Sequence, residues 1–142
     1  RGNKGTGFII EAIERLRNEG VKIQFTLIEN IPHSELKRKY KECDIFIDQV
    51  LAGWYGTASI EAMATGRPTV CFLREAYFKY IDYADSIPII NADPDTLYDA
   101  LKATIYNKEI LPKLGEKSRK FVEEVHSLDK CTDKLVELYN RL

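Results

Sequence analysis

The segment at residues 53–70 limits the possible folds more than any other part of the chain. Glycines at 53 and 56 predict a tight turn, the small residues after them predict a short helix, and the last residues predict a buried strand. Glu61 lies in this helix among alanines and a methionine. Because a carboxylate in apolar surroundings costs free energy unless a partner compensates it, Glu61 lies at the wet edge of the helix or holds a polar ligand.

Helical and strand patterns alternate along the rest of the chain, which predicts an α/β fold with a mainly parallel sheet. Ligands of such sheets bind beyond the carboxyl ends of the strands, so the loops at that edge should converge on a site. The predicted strands are residues 21–29, 44–48, 69–73 and 87–90; the predicted helices are residues 9–16, 32–43 and 93–105, the segment after Gly56, and everything from 108 onward. The loops expected to converge are residues 1–6, 29–33, 48–57 and 73–76.

Composition excludes several classes of function. A chain of 142 residues fits one domain, and its formal net charge of -1 gives no basic field for nucleic acid or anionic lipid. Its three cysteines, at 43, 71 and 131, are odd in number and far apart, which favours reduced thiols in a cytoplasmic protein. No signal peptide is recognised, and no apolar run approaches the roughly 20 residues of a membrane span.

The first residues could bind phosphate. Arg1 and Lys4 precede a helix start, with Gly5 and Thr6 beside them, and helix N-termini offer unpaired N–H groups to anions. The alternative is solvated loop charge. The turn from Gly53 to Gly56 allows backbone to approach a ligand, or is simply a tight strand-to-helix connection. Neither a Walker motif nor a dinucleotide fingerprint is present.

The remaining polar candidates have structural alternatives. Glu61 could accept hydrogen bonds from ribose or sugar hydroxyls, or pair with Arg67, and a structural role is predicted for Asp48 at the end of its strand. His33 is expected to begin a helix, and His126 to lie at the surface. No catalytic triad, pair of catalytic carboxylates or metal-ligand spacing stands out.

Late in the chain an apolar stripe recurs at helical spacing, and it is predicted to dock on the sheet. The alternatives are that it contacts a partner helix or a further domain. The stripe consists of Leu114, Phe121, Val125, Leu128, Leu135, Leu138 and Leu142.

Taken together, these motifs resemble the C-terminal, donor-binding half of family 4 glycosyltransferases of the GT-B fold. The matching segments are RGNKGT at residues 1–6, the helix at 9–16, CDIFIDQ at 43–49, GWYG at 53–56 and EAMATGRP at 61–68. They cover about half of the chain in the expected order. The resemblance implies a Rossmann-like sheet flanked by helices and transfer of a sugar from a nucleotide-sugar donor. It also implies retention of anomeric configuration, no cofactor and no essential metal.

The resemblance also implies roles for particular residues. Arg1 and Lys4 would neutralise the donor diphosphate next to Gly5, and Glu61 would hold the ribose hydroxyls. The turn containing Gly53 and Tyr55 would lie at the donor, and backbone amides of Gly56, Thr57 and Ala58 would add phosphate contacts. The loop ending at His33 would lie near the nucleobase. One position departs from the family pattern: the first of two family glutamates falls on Gly53, which leaves the donor sugar open.

In such enzymes an N-terminal domain binds the acceptor, a saccharide or a lipid-linked molecule. We therefore expect this chain to be a fragment that lacks that domain and its own first strand, binds nucleotide weakly and transfers nothing alone. Two alternatives remain. One is another GT-B enzyme, such as a sugar-nucleotide epimerase, and the other is a non-catalytic α/β interaction module whose partner binding would survive Lys4→Ala and Glu61→Ala.

Overall fold

Three short parallel strands form the sheet of this protein, whose computed structural model describes residues 4–141. The strands are β1 (Phe46–Ile47), β2 (Thr69–Cys71) and β3 (Ile90–Asn91), and they lie in the order β1-β2-β3. Phe46 pairs with Thr69, and Val70 pairs with Ile90. The mixed α/β class and the parallel sheet were predicted correctly. Parallel neighbours need crossover connections, which the helices supply.

Helices make up most of the remaining structure of residues 4–141. The α-helices are α1 (Thr6–Asn18), α2 (His33–Glu42), α3 (Thr57–Ala64), α4 (Leu97–Tyr106), α5 (Leu111–Val125) and α6 (Leu128–Asn140). Short 3₁₀ helices lie at Glu75–Tyr80, Ala84–Ser86 and Lys108–Ile110. None of the described helices has both the length and the apolar character needed to cross a membrane.

The first core lies between α1, α4 and the sheet. The apolar residues of α1 recur at helical spacing, and four of them are buried and pack with Val70 and residues of α4, whereas Phe8 is 45% exposed. Leu16, Leu97 and Leu101 are almost completely buried, and burial of each such side chain stabilises the fold by about 1.5–3 kcal/mol. This core consists of Ile9, Ala12, Ile13, Leu16, Val50, Val70, Ala92, Leu97 and Leu101.

The second core lies on the other side of the sheet, where α3 and α5 pack together. Met63 of α3 and Cys71 of β2 are fully buried there, next to Phe121 of α5. Burial raises the pKa of the Cys71 thiol to about 12, so this thiol stays protonated at neutral pH. The two helices approach so closely that an added Cβ at Gly115 would lie 2.2 Å from the Gly66 carbonyl oxygen.

The prediction of a strand at residues 21–29 is wrong. Val21, Ile23 and Phe25 are half-buried against the first core while Lys22 and Gln24 are exposed, so the alternation of burial is present. No strand of the described chain pairs with this segment, and a strand is defined by its hydrogen-bonded ladder. The sequence pattern therefore predicted which side chains face the core, but not the backbone pairing.

Other boundaries moved by a few residues. The strand predicted at residues 87–90 is shorter and lies later in the chain, as β3 (Ile90–Asn91). The helix α4 begins at Leu97 instead of next to Asp93. The Asp93 carboxylate accepts a hydrogen bond from the Thr96 N–H at 2.9 Å and thereby caps the turn before α4. The Thr96 hydroxyl donates to the same carboxylate at 2.7 Å, and this bond, followed by the one from the Thr96 N–H, holds the pKa of Asp93 below its usual value.

The late apolar stripe divides into two parts. Phe121 of α5 is buried in the second core, as predicted. The prediction that the α6 part of the stripe docks on the sheet is wrong, because no described α6 residue is buried. Ser127 caps α6, since its side chain accepts a hydrogen bond from the Lys130 N–H. Leu142 lies outside the described residues.

Candidate functional site

Asp48 joins the opening loop to α3 at the carboxyl edge of the sheet. It directly follows β1, and its side chain is 3% exposed. One carboxylate oxygen accepts a hydrogen bond from the Ser59 hydroxyl at 2.7 Å, and the other from the Lys4 ammonium at 3.3 Å. A buried carboxylate needs such partners, so Asp48 holds Lys4 next to the first turn of α3.

The position of Lys4 depends on the glycine that follows it. Gly5 has a φ of +78°, and a Cβ at this residue would lie 2.5 Å from Cγ2 of Val50. The Lys4 carbonyl accepts a hydrogen bond from the Val50 N–H at 2.9 Å. Only glycine combines this left-handed backbone with such close packing, so the chain requires glycine at this position.

The N-terminus of α3 has no side-chain cap. Gly56 precedes the helix in an extended conformation, and no side-chain hydrogen bond caps the first turn. The N–H groups of Thr57 and Ala58 therefore have no intrahelical partner, and together with the helix dipole they can receive an anion. An ideal Cβ at Gly56 would lie 3.9 Å from Oδ2 of Asp48, which places this helix end beside the Lys4–Asp48 pair.

Glu61, one helical turn further along α3, faces α2. Its Oε1 lies 2.9 Å from Nε2 of His33, and its Oε2 accepts a hydrogen bond from the Tyr40 hydroxyl at 3.2 Å. The alternative prediction that Glu61 pairs with Arg67 is wrong, because the Arg67 guanidinium donates to the Cys43 carbonyl. The Glu61 side chain remains 30% exposed, so solvent or a ligand can still reach the carboxylate.

Tyr40 lies in the electrostatic field of both carboxylates of the site. Burial, followed by the nearby carboxylate of Glu61 and then that of Asp48, raises the pKa of Tyr40 to about 12. Its hydroxyl donates to Glu61, whereas Asp48 is joined to α3 by the Ser59 hydroxyl. We call the Lys4–Asp48 pair, together with Glu61, His33 and Tyr40, the edge cluster.

Sequence reasoning did not identify Tyr40 and Ser59 as site residues. His33 and Tyr40 begin and end a seven-residue interval of α2, which places them on the same helix face. That spacing was a usable signal for Tyr40. Ser59 gave no comparable signal, because a serine in the first turn of a helix commonly hydrogen-bonds to the nearby backbone and needs no other partner.

The loop between β1 and α3 directs its aromatic side chains away from the edge cluster. Tyr55, predicted to contact the ligand, is 6% exposed and packs in the second core against Phe121. Gly53 has a φ of +81°, and its carbonyl accepts a hydrogen bond from the Arg74 N–H at 2.9 Å. Gln49 donates its side-chain amide to the Trp54 carbonyl, which also fixes the loop.

His126, predicted to lie at the surface, is half-buried in an aromatic group. Its Nε2 lies 2.9 Å from the Tyr55 hydroxyl, and its ring centroid lies 5.4 Å from that of Phe121 and 6.1 Å from that of Tyr83. Burial and, to a smaller extent, the Lys134 charge lower the pKa of His126. The prediction of a surface position was wrong because the contact with Tyr55 spans 71 residues, and no local sequence pattern contains such a contact.

The lowered pKa of His126 predicts a loss of stability on acidification. Because the unfolded chain binds this proton more readily, the free energy of unfolding falls as the pH drops below the ordinary histidine pKa of about 6.5. Urea denaturation at about pH 7.5 and about pH 5.5 should show a smaller loss for His126→Gln than for the wild type. Equal losses in the two proteins would contradict the prediction.

The predicted site residues are thus brought together, with three exceptions. Arg1 lies outside the described residues, the Tyr55 ring belongs to the second core, and Gly53 lies against Arg74 and Phe72. A groove of about 640 Å³ borders Gly5, Phe8 and Leu27, and does not include Glu61. The edge cluster itself is an open surface, where the His33 side chain is 81% exposed and that of Lys4 59%.

No group of three or more side chains suited to a metal ion occurs among residues 4–141. The edge cluster instead combines a cation, an uncapped helix end and a carboxylate, which suits a ligand with phosphate and hydroxyl groups. Comparisons of the chain with protein-family models and with curated proteins gave no match.

Proposed function

We propose that the chain binds the nucleoside diphosphate part of a nucleotide-sugar, as the donor-binding half of a retaining glycosyltransferase. The observation that supports this most strongly is the edge cluster, in which Lys4, through Asp48 and Ser59, and Glu61 are both held at α3, the helix that follows the carboxyl edge of a parallel sheet. A phosphate-binding group and a hydroxyl-binding group at one edge match the two ends of such a ligand.

The diphosphate would bind between Lys4 and the first turn of α3. The Lys4 ammonium is more than half exposed and can turn from Asp48 towards a phosphate, while the N–H groups of Thr57 and Ala58 supply uncharged donors. Arg1 would add a second cation. Such donors would stabilise the charge that develops on the departing diphosphate, which is the main contribution expected from this half of the enzyme.

The ribose would bind at Glu61. Each carboxylate oxygen has two lone pairs and accepts one hydrogen bond from His33 or Tyr40, so each can accept another from a hydroxyl group. His33 lies next to this carboxylate and is exposed, which would allow its ring to contact the nucleobase. In this proposal Tyr40 and Asp48 position Glu61 and Lys4 without contacting the donor.

The remainder of the proposal rests on the resemblance alone. It consists of a Rossmann-like sheet, transfer with retention, and an acceptor held by a further domain over the open edge cluster. Electrostatic stabilisation by one half does not complete an enzyme, because the acceptor must also be held in line with the donor sugar.

The proposal predicts nucleotide binding by this chain. Titration with UDP, GDP and ADP, followed by calorimetry and by amide shifts in NMR spectra, should give saturable binding of at least one nucleotide. The shifted amides should include those of residues 4–6, 57–58 and 61. Absence of heat and of amide shifts at millimolar concentrations of all three nucleotides would overturn the proposal.

The exposed apolar face of α6 favours a second candidate, an interaction module without catalysis. Leu128 is 82% exposed, and Leu135 and Leu138 are each more than half exposed. This candidate would require a protein partner whose binding is unaffected by Lys4→Ala and Glu61→Ala. Donor binding, in contrast, requires both side chains, so these two variants separate the candidates. Product analysis with the complete enzyme would separate a transferase from an epimerase.

A further inference from the structure

The helix α6 is joined to α5 by a short hinge. α5 ends at Val125 and the N-cap of α6 is Ser127, so His126 lies between the end of one helix and the cap of the next. No described residue of α6 is buried, and none belongs to either core. Because helices in proteins gain most of their stability from packing, the position of α6 depends on the few contacts that it makes.

Lys134 connects α6 to the aromatic residues around His126. Its Nζ lies 5.4 Å from the centroid of the Tyr83 ring, a distance at which a cation is attracted to an aromatic ring. The centroid of the same ring lies 6.1 Å from that of the His126 ring. The hinge residue and the cation of α6 are therefore both neighbours of Tyr83.

The hydrogen bond between Tyr55 and His126 suits a neutral imidazole. Burial keeps the pKa of the Tyr55 phenol above its ordinary value, so the hydroxyl carries its proton at neutral pH. Tyr55 can then donate to Nε2 of His126, which lies 2.9 Å away, only while this nitrogen has no hydrogen of its own. Protonation of His126 removes that acceptor.

No carboxylate compensates a charge on the His126 ring. The titratable groups that face the ring are Tyr55 of the loop before α3, Tyr83 and Lys134 of α6, while α5 contributes the Phe121 ring. Lys134 is the charge that acts on His126 within the described part of the chain, and it has the same sign as an imidazolium. A protonated His126 would therefore repel the residue that connects α6 to Tyr83.

We infer that His126 is a pH-sensitive switch for α6, which lies against Tyr83 while the imidazole is neutral and is released when the imidazole is protonated. In the released form α6 pivots at His126 and the rest of the fold stays intact, which goes further than the loss of overall stability predicted above. The inference is independent of the proposed function.

The sign of the pH dependence follows from linkage. Burial and then the Lys134 charge lower the pKa of His126 while α6 is in place, whereas a solvent-exposed ring has the ordinary pKa of about 6.5. The released form therefore binds the proton more readily, and it becomes more populated as the pH falls below about 6.5.

Energy transfer from the single tryptophan would measure the position of α6. Trp54 stacks on Tyr55 with ring centroids 5.2 Å apart, and Cys131 is an exposed thiol of α6 that can carry an acceptor dye. Cys43 is replaced by serine in every protein so that the dye reacts with Cys131 alone, since Cys71 is buried. From about pH 8 to about pH 5 the transfer efficiency should fall, while the amide shifts of α1 remain those of the folded protein.

Three variants test the residues that carry the inference. His126→Gln cannot be protonated, so its transfer efficiency should not change with pH. Lys134→Met keeps an unbranched side chain on Tyr83 without the charge, and its fall should be smaller than that of the wild type. Lys130→Met is the matched control, because it removes another exposed lysine of α6 and should leave the response unchanged.

Each outcome decides for or against the switch. A fall in the wild type and in Lys130→Met that is absent from His126→Gln supports it. A constant efficiency in the wild type down to about pH 5, or an equal fall in His126→Gln, overturns it. Loss of the α1 amide shifts together with the transfer would show general unfolding and would also overturn it. If His126→Gln does not fold, Lys134→Met decides, since a fall equal to that of the wild type contradicts the inference.

Discussion

Replacement of Lys4 by alanine is expected to weaken nucleoside diphosphate binding roughly 10- to 100-fold. A hydrogen bond to a charged group contributes roughly 1.5–3 kcal/mol, and Lys4 is held beside the uncapped first turn of α3 by its bond to Asp48, which also accepts from Ser59. The measurement is the Kd of the preferred nucleotide, obtained by calorimetry at fixed ionic strength because salt screens such contacts.

The matched control for Lys4 is Lys22→Ala. Lys22 is exposed in the extended segment after α1, so its removal changes the net charge equally without affecting the edge cluster. Lys4→Gln should weaken binding as well, while its amide can still donate to the buried Asp48. If Lys4→Ala and Lys22→Ala bind nucleotide with equal affinity, the diphosphate does not lie where we propose.

Replacement of Gly115 by alanine is expected to lower the free energy of unfolding by about 2 kcal/mol. The added Cβ would lie 2.2 Å from the Gly66 carbonyl oxygen and 3.2 Å from its carbonyl carbon, so backbone must move. The gain in helix propensity from glycine to alanine, about 1 kcal/mol, offsets only part of this cost. Urea denaturation of both proteins would measure the difference.

Gly7→Ala is the control that separates packing from helix propensity. Gly7 lies in the first turn of α1, and an added Cβ there would have no atom within 4 Å. This variant should be unchanged or more stable by up to about 1 kcal/mol. A Gly115→Ala protein as stable as Gly7→Ala would mean that α5 can withdraw from α3 without cost, contrary to the close contact of these helices.

Part of the candidate site was predictable because it depends on chain direction and local chemistry. A parallel sheet brings the carboxyl ends of its strands to one edge, so Lys4, Gly56 and Glu61 could be assigned to a common region before any coordinates were known. The left-handed backbone of Gly5 and Gly53 is likewise a property that glycine favours. These predictions needed no knowledge of which side chains meet.

The partners within the site were not predictable in the same way. Glu61 binds His33 and Tyr40 instead of Arg67, although Arg67 is much closer along the chain. His126 reaches Tyr55 across the second core for a similar reason. Side chains that are distant in sequence meet only after helices and strands have packed, and no periodic pattern records that arrangement.

The sequence by itself determined the α/β class and the buried face of α1, since both follow from local periodicity. Tertiary structure alone decided that residues 21–29 form no ladder, that α6 leaves its apolar face exposed, and that Tyr40 of α2 donates to Glu61 of α3. A ladder, a buried face and a hydrogen bond between two helices each require a second element at the right distance, and that distance is set by the packing of the whole domain.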